Sequence, residues 1–85
     1  MSELFLYNAE FYDVIENDEI AFIKLVGKKI RQKRIEQKLS QEILSFVADI
    51  PRNQIGRIER GEISTSISTI FKICKALKIE VKEVF

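Results

Sequence analysis

The sequence predicts an all-α chain, a bundle of five helices preceded by an N-terminal arm. Three observations carry this. Apolar residues recur at three- and four-residue steps in two long segments: Ile20, Ile23, Val26 and Ile30, then Ile67, Ile70, Phe71, Cys74 and Leu77. Serines that can cap a helix stand before apolar-periodic runs, at Ser40 and Ser66. A single domain of 85 residues buries only about 60% of its unfolded surface, which favours helices with local contacts.

Residues 1–16 form the arm. Leu4, Phe5, Leu6, Tyr7, Phe11 and Tyr12 are too many large apolar residues for a disordered tail. Spacing does not choose between strand and helix here. The expectation is a partly helical arm, packed either on its own domain or on a second subunit. The domain proper is expected at 17–85.

Asn17 or Asp18 is expected to cap the first helix, with Glu19 in its first turn. Gly27 inside that helix costs about 1 kcal/mol against alanine, a cost that a close approach of another helix would justify. Arg34 continues the apolar stripe of this helix, so its charge needs a partner. Glu59 is the candidate. Lys28, Lys29, Arg31, Lys33 and Lys38 are left for the solvated faces.

Residues 40–61, SQEILSFVADIPRNQIGRIERG, read as two short helices joined by a tight turn. Ser40 caps the first, and Leu44, Val47 and Ala48 give it an apolar side. Asp49, Ile50 and Pro51 make the turn. Proline disfavours helical geometry at Ile50 but suits the start of a new helix. The second helix runs to about Arg60 and buries Ile55 and Ile58. Gly61 follows, where a left-handed stop is easiest for glycine. Arg52, Asn53, Gln54 and Arg57 are left facing outward, and such side chains pair well with base edges. Gly56 would let the backbone come close. This is a helix-turn-helix, with its motif at 41–60. Glu62, Ile63, Ser64 and Thr65 then form a loop. Ser66 caps the fourth helix, and Ile79, Val81, Val84 and Phe85 end the chain as a short fifth helix or turn.

The stretch resembles the helix-turn-helix of the phage Cro and repressor family, the XRE family. The residues that carry the likeness are Leu39-Ser40-Gln41-Glu42 at the opening and Gln54-Ile55-Gly56-Arg57-Ile58-Glu59-Arg60-Gly61 at the close. The similarity runs from about Gly27 to Phe85. It implies a repressor-like bundle, base contacts from Arg52, Asn53 and Arg57, and phosphate contacts from Ser40, Gln41 and Arg60. It also implies the Arg34–Glu59 ion pair. Gln41 has a separate physical argument, because free N–H groups at a helix start attract phosphate. Ser64 and Thr65 could donate to phosphate from the loop, and Gln54 completes the candidate base-reading set.

Three residues depart from the family pattern. Asp49 stands where glycine is common, and aspartate tolerates left-handed backbone better than most residues. Ser45 replaces a small alanine. Glu62 stands where many relatives carry a basic residue, and it should weaken the local phosphate contact.

Charge is uneven along the chain. Residues 1–20 hold six acids and no Lys or Arg, and residues 21–85 hold all fourteen basic residues against seven acids. A basic body with a helix-turn-helix points to DNA as partner. One reading of the acidic arm is that its carboxylates compete with DNA phosphate for the basic face. Enzyme chemistry is not expected: there is no histidine, no nucleophile-elbow serine and no glycine-rich phosphate loop among three glycines. One cysteine and no histidine leave too few ligands for a Cys/His zinc site, and no disulfide can form within the chain. No metal or cofactor is expected. Nothing resembles a secretion signal or a membrane span, so a soluble cytoplasmic protein is expected.

The expected function is sequence-specific binding of double-stranded DNA by a transcriptional regulator, a repressor acting as a homodimer on an inverted-repeat operator. The alternative is an antitoxin-like interaction module whose arm at 1–16 binds a protein partner.

Overall fold

The structure, a computed structural model, describes the backbone of residues 2–85 and the side chains of residues 19–85. Four α-helices and a closing 3-10 turn run through them: α1 (Ser2–Glu36), α2 (Gln41–Ala48), α3 (Arg52–Glu59), α4 (Ile67–Leu77) and the turn Val81–Glu83. The described residues are all-α, and the expected fifth helix is that one turn. None of their helices is long and apolar enough to cross a membrane.

The first helix does not start at Asn17 or Asp18. α1 runs unbroken from Ser2, across the expected 16/17 boundary. The chain has no proline or glycine before Gly27, so nothing in it forces a break. How the side chains of the arm at 1–16 pack lies outside the described residues.

Val26, Ile30 and Arg34 make the buried stripe of α1, with Ile23 half-buried. Ile20, expected on the same stripe, is 68% exposed. The stripe continues in sequence, but the packing surface offered by the other helices stops near Ile23. Gly27 sits against α3. A Cβ there would overlap the carbonyl oxygen of Ile58 and come within 2.9 Å of that of Glu59. The glycine expected to admit another helix admits the backbone of α3.

Leu44 and Ala48 bury the inner side of α2, but Val47 is exposed and Ser45 takes a buried place. At 100° per residue, positions 44, 45 and 48 share one narrow arc and 47 falls outside it. The Ser45 hydroxyl is satisfied by donating to the Glu42 carbonyl oxygen at 2.7 Å. On α4 the buried set is Ile70, Ile73, Cys74 and Leu77, while Ile67 and Phe71 are exposed. The expected stripe began one turn too early. The same i, i+3, i+4, i+7 template fits from Ile67 or from Ile70, and only the neighbouring helices choose between them. Val84 is fully buried and closes the core from the C-terminal end. Fully burying an isoleucine or leucine contributes roughly 1.5–3 kcal/mol, so Ile30, Leu44, Ile55, Ile73 and Leu77 carry much of the fold.

The caps are local. Ser40 accepts from the Ile43 N–H at 3.0 Å, and Ser66 from the Thr69 N–H at 3.1 Å. All four helices end the same way. A left-handed residue follows each one: Lys38, Asp49, Gly61 and Lys78, with φ between 58° and 70°. The next residue's N–H then bonds five residues back, Leu39 to Arg34, Ile50 to Ser45, Glu62 to Arg57 and Ile79 to Cys74. Gly61 is doubly required, since a Cβ there would also lie 2.7 Å from the Lys24 Cα. Pro51 stands as the N-cap of α3, one residue before its expected place at the first helical position.

Candidate nucleic-acid interface

α3 has a buried side and an outward side, and the buried side fixes the other. Ile55 and Ile58 enter the core. Glu59, with no exposed side-chain surface, takes Arg34 of α1 in a two-pronged pair: Nε to Oε2 at 2.7 Å and Nη2 to Oε1 at 2.9 Å. Arg34 Nη1 donates to the Leu39 carbonyl oxygen at 2.7 Å. The Gln41 amide donates to Glu59 Oε1 at 3.1 Å, tying the start of α2 to the same carboxylate. No buried side-chain N or O atom among the described residues lacks a partner. The rotation and height of α3 are therefore set by a charged, fully bonded cluster as well as by two isoleucines.

Outward, Arg52, Asn53 and Arg57 are exposed and share a shallow cleft of about 330 Å³ with Gln41, Gly56, Arg60 and Glu62. The structure thus gathers three of the four candidate base readers with two of the candidate phosphate binders. Gln54 is half-buried and does not line this cleft. Ser64 and Thr65 do not line it either. They border an apolar cleft between α1 and α4, with Phe22, Ile67 and Phe85.

Several side chains are already engaged. Ser40 uses its oxygen as the cap of α2, which leaves its O–H to donate. The Gln41 amide nitrogen points at Glu59, so what Gln41 offers an anion is mainly its backbone N–H at the helix start. Gly56 is covered by its own chain: a Cβ would stand 3.0 Å from Arg60 Nη1 and 3.4 Å from Gln41 Oε1. Its bareness makes room for those two side chains rather than for a base.

Glu62 was expected only to weaken phosphate binding. It is a member of the cleft. Its carboxylate pairs with Arg60 Nε, accepts from Arg60 Nη2 at 3.3 Å and lies 3.9 Å from Arg57 Nε. The Arg60 guanidinium, with Arg57 behind it, holds the Glu62 carboxyl below the usual carboxylate range, and Glu62 in turn raises Arg60. Burial pushes the Cys74 thiol up, as expected of a core residue that is not a nucleophile. No cluster of metal-ligating side chains occurs among the described residues.

The helix-turn-helix family model HTH_3 matches residues 30–84. The chain belongs to this family. It is thereby a DNA-binding regulator of the XRE type and not an enzyme. Among similar proteins, the control protein C.BamHI of Bacillus amyloliquefaciens is 43% identical over 60 residues, covering 69% of this chain and 74% of that one. The immunity repressor of Bacillus phage phi105 is 36% identical over 59 residues, 69% of this chain and 41% of the repressor. Among solved structures, the restriction-modification controller protein C.AhdI of Aeromonas hydrophila superposes with a TM-score of 0.72 at 37% identity, over 76% of this chain and 97% of that one. In this HTH_3 domain α2 and α3 are the helix-turn-helix, and α3 is the helix that carries the exposed arginines.

Proposed function

We propose that this chain binds one DNA sequence as a homodimer on an inverted repeat and represses transcription by occupying a promoter. The observation that carries the reading is the cleft on α3. Arg52, Asn53 and Arg57 face outward together from a helix locked by the Arg34–Glu59 pair. An arginine can grip guanine O6 and N7, and an asparagine adenine N6 and N7, each worth about 1–3 kcal/mol of discrimination. Ser40, the first-turn N–H groups of α2 and Arg60 supply the phosphate contacts that set register. Gln54, Ser64 and Thr65 belong to the reading only as secondary contacts.

The dimer is supported by the second cleft. Phe22 and Phe85 stack there with ring centroids 6.4 Å apart, and Phe22, Ile67, Phe71 and Phe85 are all at least half exposed. A second copy packed on this apolar face would complete the homodimer, whose two α3 helices must meet half-sites about 34 Å apart, one turn of duplex. The controller proteins among its relatives support a setting in which the repressed genes belong to a restriction-modification system. The protein acts in the cytoplasm. The arm at 1–16 remains the candidate contact for a protein partner, on its aromatic and acidic composition.

Selection of duplexes from a random library at near-physiological salt tests the reading. An inverted repeat bound by two chains is the expected result, and enrichment of no sequence would overturn it. Arg57→Ala should cost about 1–3 kcal/mol on the selected duplex and relax preference at one base position. An equal loss on every duplex would remove Arg57 from the base contacts.

A further inference from the structure

At three of the four helix ends, the residue after the left-handed one is apolar and packs on the core: Leu39, Ile50 and Ile79. That is the usual partner of such an ending. At α3 the residue is Glu62. Its N–H is fixed on the Arg57 carbonyl oxygen at 2.9 Å, so the backbone itself delivers a carboxylate to the arginine side of the recognition helix. There it holds Arg60 and stands beside Arg57.

We propose that Glu62 is a specificity-determining residue, a carboxylate brace on Arg57 and Arg60 that weakens binding to DNA of arbitrary sequence and orients Arg57 for the base it reads. The inference rests on the DNA-binding reading above. Non-specific binding is attraction between basic side chains and phosphates. A carboxylate held among those side chains subtracts from it directly. Specific binding is affected differently. Arginine carries five N–H donors in a rigid fork. Glu62 lies on the Nε side of Arg57, at a distance that orients by charge without a hydrogen bond. The two terminal nitrogens stay available for guanine O6 and N7. What Glu62 costs in phosphate attraction at the specific site is offset by an Arg57 already aimed.

The test compares the whole protein with Glu62→Gln and Glu62→Asp on two probes, the duplex selected above and a duplex of the same length with its base order scrambled. Glu62→Gln should raise affinity for the scrambled duplex by about tenfold at low salt and steepen its salt slope by about one. Affinity for the selected duplex should rise far less, so the ratio between the two falls. Glu62→Asp keeps the charge but is too short to span both arginines. It should leave the scrambled duplex weak and still lose preference for the selected one. Equal gains on both duplexes with Glu62→Gln would make the residue a plain repulsive charge and overturn the inference. No change on either duplex would overturn it too. With Glu62→Gln, a loss confined to the selected duplex would make Glu62 itself a base reader and overturn the inference as well. Wild-type protein that does not prefer the selected duplex would sink the DNA reading itself, before any variant is compared.

Discussion

Two carboxylates stand three residues apart at the end of α3, and their surroundings give them different work. Glu59 has no exposed side-chain surface and meets Arg34 across the α1–α3 contact. Glu62 is about half exposed and meets Arg57 and Arg60 of its own segment. The first pair joins elements distant in sequence, and removing one partner would strand a charge in the core. The second joins neighbours in water, where Coulomb attraction is weak and salt screens it. The same chemistry is therefore structural on one side of the helix and available for binding on the other. Helix α3 uses its inner charge to fix its position and leaves its outer charges, Arg52 and Arg57, at the surface.

The largest effect expected along this contrast comes from Arg34→Ala. Glu59 would keep only the Gln41 amide, and losing one member of a buried pair costs about 3–5 kcal/mol. For a domain whose whole stability is of the order of 5–15 kcal/mol, the melting temperature should fall steeply or cooperative unfolding should vanish. An unchanged melting temperature would break the contrast at its root. Replacing both charges, Arg34→Met with Glu59→Leu, should recover most of the loss, because apolar residues of similar size can replace a buried pair. DNA affinity of that double variant would then report whether the pair also sets the angle of α3.

Gly27→Ala comes next. The added Cβ would meet the Ile58 and Glu59 carbonyl oxygens, backbone atoms that cannot turn aside. α1 must move off α3, which stretches the Arg34–Glu59 bonds. A loss of about 1–3 kcal/mol is expected, the usual cost of overpacking, seen as a lower midpoint in urea at similar slope. A neutral result would show that the two helices can separate without harm to the pair between them.

Much of this was legible in the sequence because it depends on local chemistry. Ser40 and Ser66 cap because a hydroxyl reaches an N–H three residues on. Asp49 and Gly61 stop helices because they tolerate left-handed backbone. An arginine on an apolar stripe demands an acid. What was not legible depends on the third dimension. Ile20 and Phe71 fit a periodic stripe, yet the partner helices do not reach them. Lys38 and Lys78 take left-handed backbone with no sequence signal, since lysine has no special tolerance for it. The candidate site divides along the same line. Arg52, Asn53 and Arg57 could be chosen by counting around a helix, but the engagement of Gln41 with Glu59 and of Glu62 with the arginines could not. The loop placing Ser64 and Thr65 beside Phe22 carries no periodic pattern to count.

The smallest effect belongs to Glu62, and it sharpens the contrast by its direction. Its pair with Arg60 is solvated, so Glu62→Gln should leave the melting temperature where it is, in the same buffer where Arg34→Ala lowers it. The pair should be visible instead in a titration. The folded carboxyl lies below its ordinary value because Arg60, and then Arg57, favour the charged form. Whatever the pair adds is thus fully present at neutral pH and is lost as pH falls through that lowered value. Arg60→Ala should move the Glu62 carboxyl back up towards the usual range in an NMR titration, with Arg57→Ala moving it less. A Glu62 that titrates identically in all three proteins would mean the arginines do not hold it. Both carboxylates would then have to be read again, the buried one as the sole organiser of this helix end.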